Sequence, residues 1–201
     1  MLDARLRPLI DPPLNAMGRA IARAGISANG VTMVGILLGL AAGWAIAHQA
    51  FGWGLGLLLA NRLLDGLDGA VARASELTGF GGYLDIVADF VFYVAVPLGF
   101  GFAALENQWP AMVLVASFTL TGVSFLAFAA IAGQRGEKTS VHGKKSFFYS
   151  TGLAEGTETI VAFVLMCLLP EHFAAIALVY SGLCVLTVVQ RTLLARASFH
   201  G

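Results

Sequence analysis

Six apolar runs govern what this chain can fold into. They lie near residues 30–49, 52–73, 82–105, 109–133, 152–170 and 172–194. A helix needs about 20 apolar residues to cross a bilayer, and each run approaches or exceeds that length. Connections between them are short. His48-Gln49 separates the first two and Glu106-Asn107-Gln108 the third and fourth. The longest connection, about 134–151, holds Arg135, Lys138, Lys144 and Lys145. Composition agrees with a membrane chain: 58% of residues are apolar and 12% are charged, against about 45–50% and about 25% in an ordinary soluble domain. So much apolar surface excludes a disordered chain, and so few charges could hardly coat a soluble globule. Twelve basic residues balance twelve acidic ones, and a chain without basic excess is a poor partner for nucleic acid. The expected fold is therefore all-α: a polytopic membrane protein with six transmembrane helices.

Basic residues orient these spans. With both termini on one side, that side holds eleven of the twelve Lys and Arg, counting Arg73 and Arg191 near span ends. Arg62 lies inside the second span, and the opposite side carries only Glu106 and Glu171 as charges. By the positive-inside rule, both termini face the cytoplasm. Residues 1–24 mix Arg5, Arg7, Arg19 and Arg23 with Leu6, Leu9, Ile10, Leu14, Met17 and Ile21, interrupted by Pro12 and Pro13. That pattern suits an amphipathic helix on the membrane surface, or equally a cap on the soluble side. The division expected is a juxtamembrane segment, 1–24, before a six-helix transmembrane domain, 25–201. Gly35-x3-Gly39-x3-Gly43 in the first span reads as a close-packing stripe. Trp53 and Trp109 read as interfacial anchors. Cys167 and Cys184 lie in apolar runs without metal-ligand spacing and read as buried thiols.

The stretch 61–89 carries the chemistry. Asp65 and Asp68 stand three apart on the second span, and Asp85 and Asp89 four apart on the third. Each spacing puts its pair on one helix face. Consecutive antiparallel spans bring both pairs to the same cytoplasmic end. An intramembrane Asp costs about 2.5–3.5 kcal/mol on insertion scales, and four together also repel. Arg62 and Arg73 offset only part of that charge. Protonation of one or two acids, or one or two divalent cations, would offset the rest. Carboxylates without nearby His or Cys suit Mg²⁺, Mn²⁺ or Ca²⁺ rather than zinc. Glycines 66, 69, 79, 81 and 82 surround the acids. Gly79 suits a tight turn; Gly69 suits helix packing or close approach of a ligand to the backbone.

Asp65-x2-Asp68-Gly69-x2-Ala72-Arg73 followed by Gly81-x3-Asp85-x3-Asp89 resembles the signature of the CDP-alcohol phosphotransferase (CDP-alcohol phosphatidyltransferase) family, with eight fixed residues in twenty-five positions. One departure is visible: seven residues separate Arg73 from Gly81, one fewer than usual in the family. Asn29-x2-Thr32 is similar to the family's Pro-Asn-x2-Thr, with Ala28 in place of the proline. The resemblance implies an enzyme of phospholipid biosynthesis that cleaves the pyrophosphate of a CDP-linked alcohol, transfers the phospho-alcohol to a second alcohol and releases CMP. It implies that Asp65, Asp68 and Asp85 hold a pair of Mg²⁺ or Mn²⁺ ions, with Asp89 as a further ligand and general base. Gly69, Ala72 and Gly81 would shape the cytidine pocket, with Asp65 and Arg73 also at the nucleotide. Asn29 and Thr32 would hold the pyrophosphate. A homodimer is implied as well. Residue chemistry fits: an alcohol needs its proton removed as it attacks, and Asp89, deepest in its span, suits that base.

A membrane-embedded site favours a lipid donor, CDP-diacylglycerol, and a polar acceptor such as glycerol 3-phosphate or inositol phosphate. The converse, a soluble CDP-alcohol with diacylglycerol as acceptor, stays open. Candidate acceptor residues are Lys145, Glu155, Glu158 and Arg191. Basic groups could grip a phosphate, although a basic loop beside anionic headgroups needs no substrate, and the two glutamates could instead pair with Arg191 or Lys145. NRLLDGLDG with EGTET resembles a bacterial subgroup of the family, which implies the inner (cytoplasmic) membrane. Two other classes compete: a cation- or proton-coupled transporter, which predicts midplane acids and repeated halves, and a metal-binding membrane protein without catalysis.

Overall fold

The computed structural model describes residues 3–135, 153–154 and 156–199. Seven α-helices and two single 3₁₀ turns make up the described residues: α1 Asp3–Arg23, α2 Ala28–Ala47, α3 Phe51–Ala74, α4 Gly79–Ala103, α5 Gln108–Gln134, α6 Gly156–Leu168 and α7 Phe173–Phe199. Each expected span coincides with one helix from α2 to α7, with shifted ends. Local chemistry explains the shifts. Thr78 caps α4 by accepting a hydrogen bond from Gly81 N at 3.0 Å, so α4 begins three residues earlier than its apolar run. Gln49 takes a left-handed backbone, φ 61°, which ends α2 at Ala47. Gln49 Nε2 then donates to Ala103 O at 3.0 Å, tying this turn to the far end of α4.

Four segments are long and apolar enough to cross a membrane: Ala28–Ala47, Gly79–Ala103, Leu105–Gln134 and Pro170–Phe199. Three helices, α1, α3 and α6, fall outside that group. α3 carries Arg62 at its middle and Asp65, Asp68 and Arg73 in its second half, and α6 has 13 described residues. Helical backbone satisfies its own N–H and C=O groups, which hydrocarbon requires. Large apolar side chains such as Leu37, Trp44, Phe102 and Val179 are exposed on the helix surfaces, as lipid contact demands.

α2 packs against both α3 and α4, α4 against α5, and α5 against α7. The core is aromatic. Phe100 stacks on Phe173 at 4.5 Å between centroids, and Phe92 and Phe118 both meet Phe163 edge-on. Cys167 and Cys184 are buried free thiols. α1 is one continuous helix through Pro12 and Pro13. It docks on α3, and its Leu14 and Ile21 pack against the apolar cluster of Val31, Leu67 and Val71. That contact sets its course.

The glycine stripe on α2 makes the closest helix crossing. A Cβ on Gly43 would lie 2.5 Å from Ala95 O of α4, and one on Gly99 would strike Gly43 O in return. Neither obstacle is a movable side-chain tip. Gly43→Val should therefore lower stability by about 1–3 kcal/mol, the usual cost of overpacking. Thermal unfolding in detergent measures it, and an unchanged midpoint would show that α2 and α4 do not cross here.

Candidate active site

Three helix ends meet at one end of the bundle: the start of α2, the last turns of α3 and the start of α4. Caps define two of them. Ser27 accepts from Gly30 N at 3.1 Å at the head of α2, and Thr78 does the same for α4. Both helices thus present N-terminal backbone N–H groups and the positive ends of their dipoles to this region, which favours anions.

The acids project into it from α3 and α4. Asp68 is buried, with 5% of its surface exposed, and accepts a 2.6 Å hydrogen bond from Thr32 Oγ1 of α2 on Oδ2. Asp65 and Asp89 are partly buried, while Asp85 is exposed. The four lie close enough to interact electrostatically: Asp65 with Asp68, Asp85 and Asp89, and Asp85 with Asp68 and Asp89. Arg62 stands behind them. Its Nη1 donates to Asp89 Oδ1 at 2.8 Å and lies 3.6 Å from Asp65 Oδ2. Its Nε donates to Asn61 Oδ1 at 2.8 Å, and Asn61 Nδ2 donates in turn to Gly35 O of α2 at 2.7 Å.

The remaining residues of the signature sit around the acids. Gly81 faces Asn29: a Cβ there would be 3.3 Å from Asn29 Oδ1 and 3.0 Å from Thr78 Oγ1. Gly69 lies beside Arg73, whose Nη1 would be 3.2 Å from an added Cβ. Arg73 Nη2 donates to Asn15 Oδ1 of α1 at 3.1 Å. Ala72 is half-buried one position before it. Asn29, Thr32, Asp65, Asp68, Gly69, Ala72, Arg73, Gly81, Asp85 and Asp89 thus belong to one region.

The donor set suits a hard divalent cation, being carboxylate oxygens without His or Cys. Arg62 contacts the acids while Arg73 is turned to Asn15, so the four carboxylates keep a negative excess that such a cation would offset. Among the described residues no three acids are already gathered as a metal cage. Arg62 and Thr32 instead hold one oxygen each of Asp89 and Asp68.

Of the four acceptor candidates, Lys145 and Glu155 lie outside the described residues. Glu158 is in the first turn of α6. Arg191 of α7 donates from Nη1 to Thr121 O at 2.9 Å and reaches Ser124 Oγ at 3.4 Å, both on α5. Sequence spacing did not single out Asn61 or Asn15. Asn61 had one visible sign, an amide inside an apolar run directly before Arg62. Asn15 had none, because its partner is 58 positions away.

The chain is similar to several known proteins. The CDP-alcohol phosphatidyltransferase family profile matches residues 26–194. The chain belongs to that family. It is accordingly a phosphatidyltransferase, which sets aside the transporter and the non-catalytic readings. It is 47% identical over 195 residues to the inner membrane protein YnjF of Escherichia coli K12, covering 95% of this chain and 93% of that protein. It is 31% identical over 124 residues to the archaetidylinositol phosphate synthase of Pyrococcus horikoshii, covering 59% of this chain and 64% of that one. The fold is similar to that of Mycobacterium tuberculosis phosphatidylinositol phosphate synthase in two crystal structures. With CDP-DAG bound, the TM-score is 0.66 at 22% identity, covering 91% of this chain and 93% of that one. With manganese and citrate, it is 0.64 at 21% identity, covering 90% and 88%.

Thr32→Val tests the geometry directly. Valine keeps the shape and removes the donor to a buried carboxylate, a charge-assisted bond worth about 1.5–3 kcal/mol. Stability of the metal-free protein in detergent should fall by that amount. No change would separate Thr32 from Asp68.

Proposed function

We propose that this protein transfers the phosphatidyl group of CDP-diacylglycerol to a phosphorylated polyol, such as inositol phosphate or glycerol 3-phosphate, and releases CMP. The observation that carries the reading is the meeting of the four aspartates with Asn29, Thr32 and Gly81 at one end of the bundle. In this reading all six helices α2–α7 cross the inner membrane, residues 25–201 form the catalytic domain, and residues 1–24 form the juxtamembrane surface helix. Basic-residue placement supports a cytoplasmic site and cytoplasmic termini. A homodimer is the expected assembly.

The residues take distinct parts. Asn29, Thr32 and the N-terminal amides of α2 and α4 bind the pyrophosphate. Gly69, Ala72 and Gly81 form the cytidine wall, with Asp65 and Arg73 beside it. A side chain at Gly81 would push on Asn29 and Thr78, so glycine keeps that wall open. Asp65, Asp68, Asp85 and Asp89 would hold a Mg²⁺ or Mn²⁺ pair, which when bound offsets the pyrophosphate charge and stabilises the leaving CMP. Asp89 takes the proton of the attacking hydroxyl while the new P–O bond forms and the P–O bond to CMP breaks. The name of the Pyrococcus relative favours an inositol phosphate type of acceptor. Lys145 and Arg191 would grip its phosphate, and Glu155 and Glu158 its hydroxyls.

Purified protein with CDP-diacylglycerol, Mn²⁺ or Mg²⁺ and single acceptors tests this. Metal-dependent CMP release is expected with a phosphorylated polyol and not with serine or unphosphorylated inositol. Turnover only with CDP-choline or CDP-ethanolamine plus diacylglycerol would overturn the donor assignment. Asp89→Asn should lower kcat by about 10²–10⁴-fold, the usual contribution of a general base, while donor binding persists. Unchanged turnover would remove Asp89 from that role. Asp68→Ala should abolish the rise in melting temperature that Mn²⁺ gives the wild type, and a retained rise would remove Asp68 from the ligands.

A further inference from the structure

Arg62 lies one helical turn before the signature, and none of the roles above uses it. It is a cation inside α3, with 11% of its side chain exposed, whereas Asp65 and Asp89 are each 34% exposed. The guanidinium is thus deeper than the acids it touches. Four contacts fix it: Asp89 Oδ1 at 2.8 Å, Asp65 Oδ2 at 3.6 Å, Asn61 Oδ1 at 2.8 Å, and the Phe92 ring, whose centroid is 4.1 Å from Cζ. Asn61 is itself anchored to Gly35 O, and Phe92 is part of the aromatic core. A charge held so completely on its inner side is rigid, and burying it without a partner would be costly.

We propose that Arg62 is a positioning residue with two effects. It clamps Asp89 from behind through Oδ1, which fixes the direction of the other oxygen toward the acceptor. It also acts as the resident cation of the acid cluster, balancing Asp89 and Asp65 when no divalent metal is present. This inference rests on the proposed reaction for its first effect and is independent of it for the second. The two effects pull in opposite directions, which separates them from a structural role. Loss of the guanidinium frees Asp89 and removes a positive charge, so divalent cations should bind more tightly. The same loss lets the carboxylate wander, and a misplacement near 1 Å costs about 10²-fold in rate.

The experiment uses full-length protein in detergent, with Mn²⁺ alone as the binding probe and CMP release as the reaction readout. For Arg62→Met, the Mn²⁺ concentration giving half-maximal thermal stabilisation should fall by about tenfold. In EDTA the melting temperature should drop below that of the wild type, and saturating Mn²⁺ should narrow the gap. kcat should fall by about 10²-fold, with donor KM little changed. In an Asp89→Asn background, Arg62→Met should cost no further turnover, because it acts through Asp89. Weakened Mn²⁺ binding together with lost turnover would mark a structural residue and overturn the proposal, as would unchanged turnover. If Arg62→Met does not fold, Arg62→Lys decides. It keeps the charge and loses the fork, so Mn²⁺ binding should stay within about twofold of wild type while kcat falls about tenfold. Full turnover in Arg62→Lys overturns the clamp. Failure of the wild type to release CMP would overturn the proposed function instead, and the Mn²⁺ and EDTA melting curves would still judge Arg62 as resident cation.

Discussion

The 2.8 Å contact between Arg62 and Asp89 joins α3 to α4 where both helices enter the apolar body of the bundle. Its consequences reach outward through every polar group nearby. An arginine at that depth needs partners on all sides. It finds Asp89 and Asp65 toward the site, Asn61 along its own helix and the face of Phe92 behind. Asn61 needs partners too, and its amide donates to Gly35 O on α2. One chain of hydrogen bonds therefore links α2, α3 and α4. Asp65 and Asp89, which the proposed reaction uses, are the more exposed end of that chain.

Small residues make the chain short enough to close. Asn61 can reach a backbone carbonyl of α2 because Gly35 and Gly39 present no side chain there; a Cβ on Gly39 would sit 3.2 Å from Asn61 Nδ2. Farther along, Gly43 lets α2 touch the backbone of α4. Packing in an apolar medium gains from such close approach because no hydrophobic force drives helices together there. The stripe thus seats a buried polar network at one end and a backbone crossing at the other. A packing role and a site-building role are the same geometry.

Much of this was legible in the sequence, and the part that was not has a common cause. The helices were legible because apolar runs and short polar breaks repeat along the chain. The acids were legible because spacings of three and four residues survive folding as one helix face. The signature is local: Asp65 to Asp89 is one helix end, a turn and one helix start. Partners across the fold were not legible. Thr32 and Asp68 are 36 positions apart, Asn61 and Gly35 are 26, and Asn15 and Arg73 are 58. Thr32 was marked by a motif, yet its contact with Asp68 has no spacing rule behind it. Helix ends shifted for a similar reason: Thr78 and Gln49 act through backbone geometry, which an apolar count ignores.

The same contrast separates the two halves of the proposed reaction. The donor side is built by consecutive helices, so its residues are close in sequence and their pattern is specific. On the acceptor side, Arg191 of α7 bonds to Thr121 and Ser124 of α5, 70 and 67 positions away. An arginine in such a place satisfies two requirements at once. It fastens α7 to α5 by taking up a helix carbonyl, and it keeps a guanidinium within the bundle, 5.6 Å from the Phe125 ring.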